Sequence, residues 1–195
     1  MDLPPNHRWI PRVFTGEECG VLQERLIAEI DWEEHQFRMF GRSILMPRKI
    51  AFFGPWDYAY SGTVHTSCAT PDFLEKVMGK VSECSGHPFN TLLLNYYMDG
   101  SKSMGWHSDD DYDHGGYPAV ASLSVGATRR FRVRTREHEQ SWGLDLAAGG
   151  LLVMEGKSQE ETQHSVPKTA RECGPRINLT FRHMACSNQK KTRAI

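Results

Sequence analysis

After residue 90 the chain breaks into short segments, TLLLNYY, AVASLSVG, RFRVRT, GGLLVME and RINLTFRHM, separated by turns containing Gly, Asp or Pro. Each segment is rich in branched and aromatic residues and reads as a strand. Strands this short bury a core only by pairing into sheets whose apolar faces pack on another layer. Helix-like segments precede the series. Helices first and many short strands afterwards predict a mainly β, α+β architecture, with helices packed outside an antiparallel sandwich or barrel.

TGEECGVLQERLIAEI opens with a capping box, Thr15 to Glu18, after which Leu22, Leu26 and Ile30 recur at a spacing of four. TPDFLEKVMGKVSEC predicts a second helix, capped by Thr70, with Pro71 in its first position and Phe73, Val77 and Val81 as its buried stripe. Between them, FRMFGRSILMPRKIAFFGPWDYAYSG lacks a helical period and reads as short strands and loops. The tail ACSNQKKTRAI reads as frayed.

At 195 residues the chain suits one domain with a true core. The formal net charge is -1 and the pI about 6.8, so any attraction to phosphate must be local. No run approaches the roughly 18 apolar residues of a membrane span. MDLPPNHRWIP lacks the basic head and apolar stretch of a secretory signal. Cys19, Cys68, Cys84, Cys173 and Cys186 are odd in number and scattered, with no C-x-x-C, which points to free thiols. The expected setting is intracellular and reducing, cytoplasmic or nuclear, and the expected state a monomer.

The chemistry concentrates in GWHSDDDYDHGG, residues 105–116. On a strand, His107 and Asp109 would point to one face and could grip one ion together. A third ligand must come from elsewhere, and His164 in ETQHSVP is the best candidate. Two histidines and one carboxylate on one side of an ion form the facial triad of non-haem Fe(II) oxygenases, with open positions for a co-substrate and O2. A structural zinc site would close all four of its positions. Asp109, Asp111 and Asp113 imitate the start of a calcium loop, but its sixth position would be His114 instead of Gly and its twelfth Val120 instead of Glu. H-x-D is by itself a weak signal: a solvated acidic loop, or His114 as ligand in place of His107, fits it too.

In RINLTFR, Arg176, Asn178, Thr180 and Arg182 share one strand face and Ile177, Leu179 and Phe181 the other. The polar face presents two guanidinium forks, which suit a dicarboxylate. A solvent-exposed face carrying two arginines is written with the same letters. A metal with open positions beside a dicarboxylate cradle is what 2-oxoglutarate chemistry needs.

LLNYYMDG, GWHSDDD, the distal His164 and RINLTFR, in that order, resemble the AlkB-like Fe(II)/2-oxoglutarate dioxygenases, which repair alkylated nucleobases. The resemblance covers roughly residues 38–182 and leans to the branch acting on duplex DNA. It implies a single dioxygenase domain over 1–195, with a double-stranded β-helix (jelly-roll) core over about 90–184 and a nucleotide-recognition lid over about 35–65. It implies Fe(II) on His107, Asp109 and His164, with O2 as co-substrate. It implies 2-oxoglutarate held by Asn95, Tyr97, Arg176, Asn178 and Arg182, Arg176 taking the distal carboxylate with help from Tyr97 and Arg182 lying near the iron-chelating end.

The lid resemblance rests on PRKIAFFG followed by YAYSG. It implies that Tyr60 stacks on an extruded base and that Tyr58, Ser61, Arg48 and Asp111 contact the base or its surroundings. Asp111 stands where the nearest relatives usually carry Glu. Phe40 matches a finger that fills the gap left by the flipped base. The implied reaction is oxidative demethylation of N-alkylated bases, of the 1-methyladenine and 3-methylcytosine type, in DNA, releasing aldehyde, succinate and CO2.

RRFRVRTR sets Arg130, Arg132, Arg134 and Arg136 on one strand face, opposite Phe131 and Val133. With Arg42 and Lys49 near the lid, Arg130, Arg132 and Arg134 are candidate phosphate contacts. An edge strand protected by charge reads the same way. The alternatives are the same dioxygenase acting on RNA, protein or a small molecule, a nucleic-acid-binding jelly roll without turnover, and a zinc hydrolase. The intact H-x-D, His164 and arginines argue against the second, and RINLTFR goes unexplained by the third.

Overall fold

The computed structural model describes residues 2–39, 42–60, 63–66, 68–110 and 114–185. The elements in chain order are β1 His7–Ile10, α1 Gly16–Glu29, β2 Glu33–Met39, β3 Arg42–Phe53, β4 Tyr58–Tyr60, β5 Thr63–His65, α2 Asp72–Ser85, β6 Thr91–Tyr97, β7 Met104–His107, β8 Val120–Gly126, β9 Arg129–Thr135, β10 Ser141–Leu146, β11 Leu151–Met154, α3 Ser158–Glu161, β12 Thr162–Val166 and β13 Arg176–Arg182. A 7-stranded major sheet runs β1-β11-β8-β13-β6-β3-β2, and a 4-stranded minor sheet runs β10-β9-β12-β7. A two-stranded hairpin, β4-β5, stands apart. All the pairings are antiparallel. This is the double-stranded β-helix, or jelly roll. Among the described residues no helix is long and apolar enough to cross a membrane.

The major sheet is covered on both faces. Leu22 and Leu26 of α1 and Leu74, Val77 and Val81 of α2 join Leu92, Leu94, Leu123, Ile177, Leu179 and Phe181 in one core. On the other face, Val120, Leu152 and Met154 of the major sheet meet Phe131, Val133, Leu144, Leu146 and Val166 of the minor sheet in a second core. Strand alternation therefore sorts each major-sheet strand into a helix-facing set and an inter-sheet set. In β13 the inter-sheet set is Arg176, Asn178, Thr180 and Arg182, and all seven residues of the strand are buried.

The capping box of α1 forms as predicted, with Thr15 Oγ1 accepting from Glu18 N at 3.2 Å and Glu18 Oε2 accepting from Thr15 N at 2.6 Å. The second helix departs from its prediction. Pro71 is the N-cap, with ψ 145°, so the helix begins at Asp72, and no side chain caps it. Leu74, Val77, Met78 and Val81 are its buried residues, while Phe73 is half-buried beneath the Arg25 guanidinium, 4.1 Å from the ring centre. β1, β7, β10 and β12 were not predicted as strands. Each is short, and their burial is mixed enough to blur a period of two.

The aromatic segment before α2 does form strands, but β3 is 12 residues long and pairs with β6, so part of the expected lid is the edge of the major sheet itself. The β2–β3 register shifts between Gln36↔Leu45 and Glu34↔Lys49. Pro47 and Arg48 fall within that shift, where a strand tolerates a residue that cannot donate to the ladder.

Candidate active site

His107 is the last residue of β7, and His164 lies opposite it on β12 in direct register. Their ring centroids are 4.2 Å apart. Asp109 follows in a bend just past the end of β7, so the triad is completed by a turn of the chain and not by the shared strand face that the sequence suggested. One ligand atom each from His107, Asp109 and His164 lie within 4.8 Å of one another. His107 Nδ1 is engaged by the Gly105 carbonyl oxygen at 2.9 Å, which leaves Nε2 as the free lone pair. His164 Nε2 sits 3.7 Å from Asp109 Oδ2, and Arg182 Nη2 donates to Asp109 Oδ1 at 2.6 Å. His114 is exposed and is not part of this cluster.

The protonation states suit a cation. Burial pushes the Asp109 carboxyl up, but Arg182, His164 and His107 together outweigh it and hold it at about 2. Burial, reinforced by the neighbouring His107, pushes the His164 imidazole down to about 3 against the pull of Asp109. An ionised carboxylate and a neutral imidazole are the forms in which these side chains bind metal.

The triad opens into a cavity between the two sheets, which Arg48, Asn95, Tyr97, Arg176, Asn178 and Arg182 also line. Arg176 is 1% exposed. Its Nη2 donates to Ser124 Oγ at 2.9 Å and to Asn178 Oδ1 at 3.0 Å, and it lies 5.6 Å from the Tyr97 ring centre. Its Nε and Nη1 are buried without a partner among the described residues. Burial lowers this guanidinium to about 10, with Tyr97 opposing and Arg129 assisting, so it stays charged at neutral pH. Two orphaned nitrogens on a buried cation, with three N–H donors between them, cost energy until a ligand accepts from them, and a carboxylate is the matching acceptor. The residues present therefore fit both the iron and the dicarboxylate. The solvent-exposed reading of the RINLTFR polar face is overturned.

The neighbouring strands complete the lining. Asn178 Nδ2 donates to Thr180 Oγ1 at 2.7 Å, and Ser122 Oγ donates to Asn178 Oδ1 at 2.7 Å. Arg48, buried, donates from Nε to Asn95 Oδ1 at 2.7 Å. Sequence reasoning missed Ser122 and Ser124. Their alternation in AVASLSVG was the available signal, since small hydroxyls on one face of an apolar strand imply a polar neighbour. It missed Arg129 as well, which is buried and donates to the carbonyls of Asp99, Gly100, Lys102 and Pro167. The alternation that sets Arg130, Arg132 and Arg134 on one face puts Arg129 on the other with Phe131 and Val133, and that was the available signal.

The basic stripe is not an edge strand, because β9 lies between β10 and β12. Arg130 and Arg132 are exposed. Arg130 pairs with Asp145 at 3.2 Å and lies across Gly143, where a Cβ would collide with its guanidinium. Arg134 stacks on the Trp106 ring at 4.2 Å and donates to Gln163. Arg136 turns away from the stripe toward Asp110, at 2.7 Å. Lys49 lies 3.5 Å from Glu34. Tyr58 and Tyr60 sit on β4 opposite His65 and Thr63, and Arg42 opens β3 opposite Met39; the side chains of Tyr58, Tyr60 and Arg42 lie outside the described part of the chain. Phe40, Ser61 and Asp111 lie outside the described residues altogether.

Residues 6–182 match the 2OG-Fe(II) oxygenase superfamily. The chain belongs to this superfamily. Within it, the chain is 35% identical over 182 residues to alpha-ketoglutarate-dependent dioxygenase alkB homolog 3 of Rattus norvegicus, covering 88% of this chain and 62% of that protein. The human alkB homolog 3 is also 35% identical, with 64% of its length covered. DNA oxidative demethylase ALKBH2 of Mus musculus is 34% identical over 179 residues, covering 82% of this chain and 74% of that protein. Such identities do not separate the two branches. The chain spans less than two thirds of the length of the alkB homolog 3 relatives. The solved structure of OsALKBH1 superposes with a TM-score of 0.68 at 17% identity, covering 94% of this chain and 100% of that one. This oxygenase superfamily works with Fe(II), 2-oxoglutarate and O2.

Proposed function

We propose that the chain is a monomeric Fe(II)/2-oxoglutarate-dependent oxidative demethylase of N-alkylated bases in DNA. The observation that carries the reading is the pair of Arg176 nitrogens, Nε and Nη1, without a partner among the described residues and buried beside the same cavity as the His107–Asp109–His164 cluster. Names of the relatives, dioxygenase and DNA oxidative demethylase, support the substrate class. When bound, iron, 2-oxoglutarate and O2 supply a two-electron oxidation of an N-alkyl carbon, with release of succinate and CO2, and the oxidised alkyl group leaves as aldehyde.

The protein's part is to hold and aim. His107, Asp109 and His164 would hold the iron through three ligand atoms that lie within 4.8 Å of one another. Arg176, with Tyr97 beside it, receives the far carboxylate of 2-oxoglutarate, and Asn95 and Asn178 line the berth between. Arg182 neutralises Asp109 near the chelating end. The proposed nucleotide-recognition lid, about residues 35–65, would offer Tyr60 as a stacking platform, with Tyr58, Ser61, Arg48 and, from outside the lid, Asp111 contacting the base and Phe40 as the finger that fills the vacated stack. A base inside a duplex must be extruded to reach the iron, at a cost of a few kcal/mol. Arg42, Lys49, Arg130, Arg132 and Arg134 supply sequence-independent contacts to the backbone.

The test is release of succinate and formaldehyde from matched single- and double-stranded DNA and RNA carrying 1-methyladenine or 3-methylcytosine, with and without iron and 2-oxoglutarate. Repair of DNA that needs both additions is expected. Succinate release driven by a peptide or amino acid but by none of the methylated nucleic acids would refute the substrate assignment.

A further inference from the structure

Asp109 is the one candidate ligand outside regular secondary structure. The β7–β12 pairing reaches no further than His107, so the strands do not fix the following carboxylate. Its buried backbone N donates to Gln159 Oε1 at 2.8 Å. Gln159 is 7% exposed, and its Nε2 meets Met154 Sδ at 3.5 Å, which sets the amide with its oxygen toward Asp109. The carbonyl oxygen of the same Gln159 accepts from Arg136 Nη2 at 2.9 Å. That nitrogen also donates to Ser108 Oγ at 3.1 Å and to Asp110 Oδ2 at 2.7 Å, the residues on either side of Asp109. Ser108 Oγ in turn donates to the Thr162 carbonyl at 2.8 Å, two residues before His164.

We infer that Gln159 and Arg136 form a clamp that positions Asp109 for iron, acting on the Asp109 backbone N–H and on the side chains of Ser108 and Asp110, and not on the metal. The clamp gathers three separate stretches: α3 through Gln159, the residue after β9 through Arg136, and the start of β12 through Thr162. It holds the bend at the spacing the two histidines require, so that binding the ion does not also have to order the loop. Partners of this kind commonly set metal affinity by factors of ten to a hundred. The inference rests on His107, Asp109 and His164 being the iron ligands.

The metal-free protein is titrated with Co(II), whose visible absorption reports the ligand field, and its unfolding midpoint is read in parallel. Gln159→Met removes the acceptor at similar volume and should weaken Co(II) binding about tenfold or more. Arg136→Met should do the same. Gln159→Glu keeps an oxygen in place and should bind as tightly as the parent. Glu160→Gln, exposed on the same helix, should change nothing. Asp109→Ala should lose the site.

If Asp109→Ala binds Co(II) like the parent, the ligand assignment is wrong and the clamp falls with it. If Asp109→Ala loses binding but Gln159→Met and Arg136→Met stay within about twofold of the parent, the clamp alone is refuted. A loss shared equally by Gln159→Glu, or matched by unfolded protein at the titration temperature, assigns these residues a purely structural role and overturns the proposal too.

Discussion

Strands β13 and β9 are written in the same hand. Each has seven residues and begins with arginine, and polar side chains alternate with apolar ones, throughout β13 and from Arg130 to Arg134 in β9. In β13 every residue is buried; in β9 the buried ones are Arg129, Phe131 and Val133. The reason is the number of layers. β13 is the middle strand of a sheet with helices on one face and the minor sheet on the other. β9 belongs to the minor sheet, and only its inner face is covered. Alternation fixes which side chains travel together, while the layers decide whether a given arginine is a buried electrostatic element or a solvated one. Arg182 meets Asp109 with both side chains under a tenth exposed, whereas Arg130 meets Asp145 with more than half of each in water.

The largest effect should come from Arg182→Met. It strands a buried carboxylate, a change that costs about 3–5 kcal/mol, or a fall of roughly 10 °C in the unfolding midpoint of the metal-free protein. Mn(II) or Co(II) should recover much of the loss, because the ion becomes the missing counter-charge. Arg130→Met should stay within about 0.5 kcal/mol. Equal falls for the two in a thermal melt would break the comparison.

Next comes Arg176→Gln, expected to raise the KM for 2-oxoglutarate about a hundredfold, the scale of a lost buried charge pair. Arg176→Lys should not restore it, since an ammonium cannot replace the two-pronged fork. Both are read from succinate formation against co-substrate concentration.

On β9, Arg132→Ala with Arg134→Ala should leave that KM unchanged. It should weaken oligonucleotide binding several-fold and flatten the dependence of log affinity on log salt by about one for each phosphate no longer neutralised. A changed KM with unaltered salt dependence would show that the outer face serves the cavity instead.

The smallest effect lies far from both strands. Hydrogen bonds from Lys80 and Thr15 hold the exposed Glu18 carboxyl at about 2. Its folded value is depressed, so its contribution is present above the ordinary carboxylate range and is lost as pH falls through that range toward 2. In Glu18→Gln the acid unfolding curve should be correspondingly flatter over that window, and nowhere else.

The architecture was legible where strands are fully apolar on at least one face: TLLLNYY, AVASLSVG and RINLTFR each became one strand close to its predicted bounds. It was not legible in β7 and β12, which carry the two histidines. β7 has no buried residue and β12 buries polar ones, so both lose the pattern that would announce them. The triad residues could be named from type and spacing, but the physical reason offered by the sequence, a shared strand face for His107 and Asp109, was mistaken. What holds Asp109 is a glutamine fifty residues away, and no periodicity encodes that. Arg136 looked like a member of one stripe with Arg130, Arg132 and Arg134. Only the fold shows that it grips the loop around Asp109, and that Arg129, on the opposite face, ties down four carbonyls.

The position of β13 in the sheet bears on how the molecule is made. It follows every other described strand in sequence, yet it slots between β6 and β8 at the centre of the major sheet. A chain that stops before residue 176 leaves β6 and β8 each with an unpaired edge and the cavity without Arg176, Asn178 and Arg182. The cavity wall therefore closes with the pairing of β13, although His107, Asp109 and His164 all precede that strand in the chain.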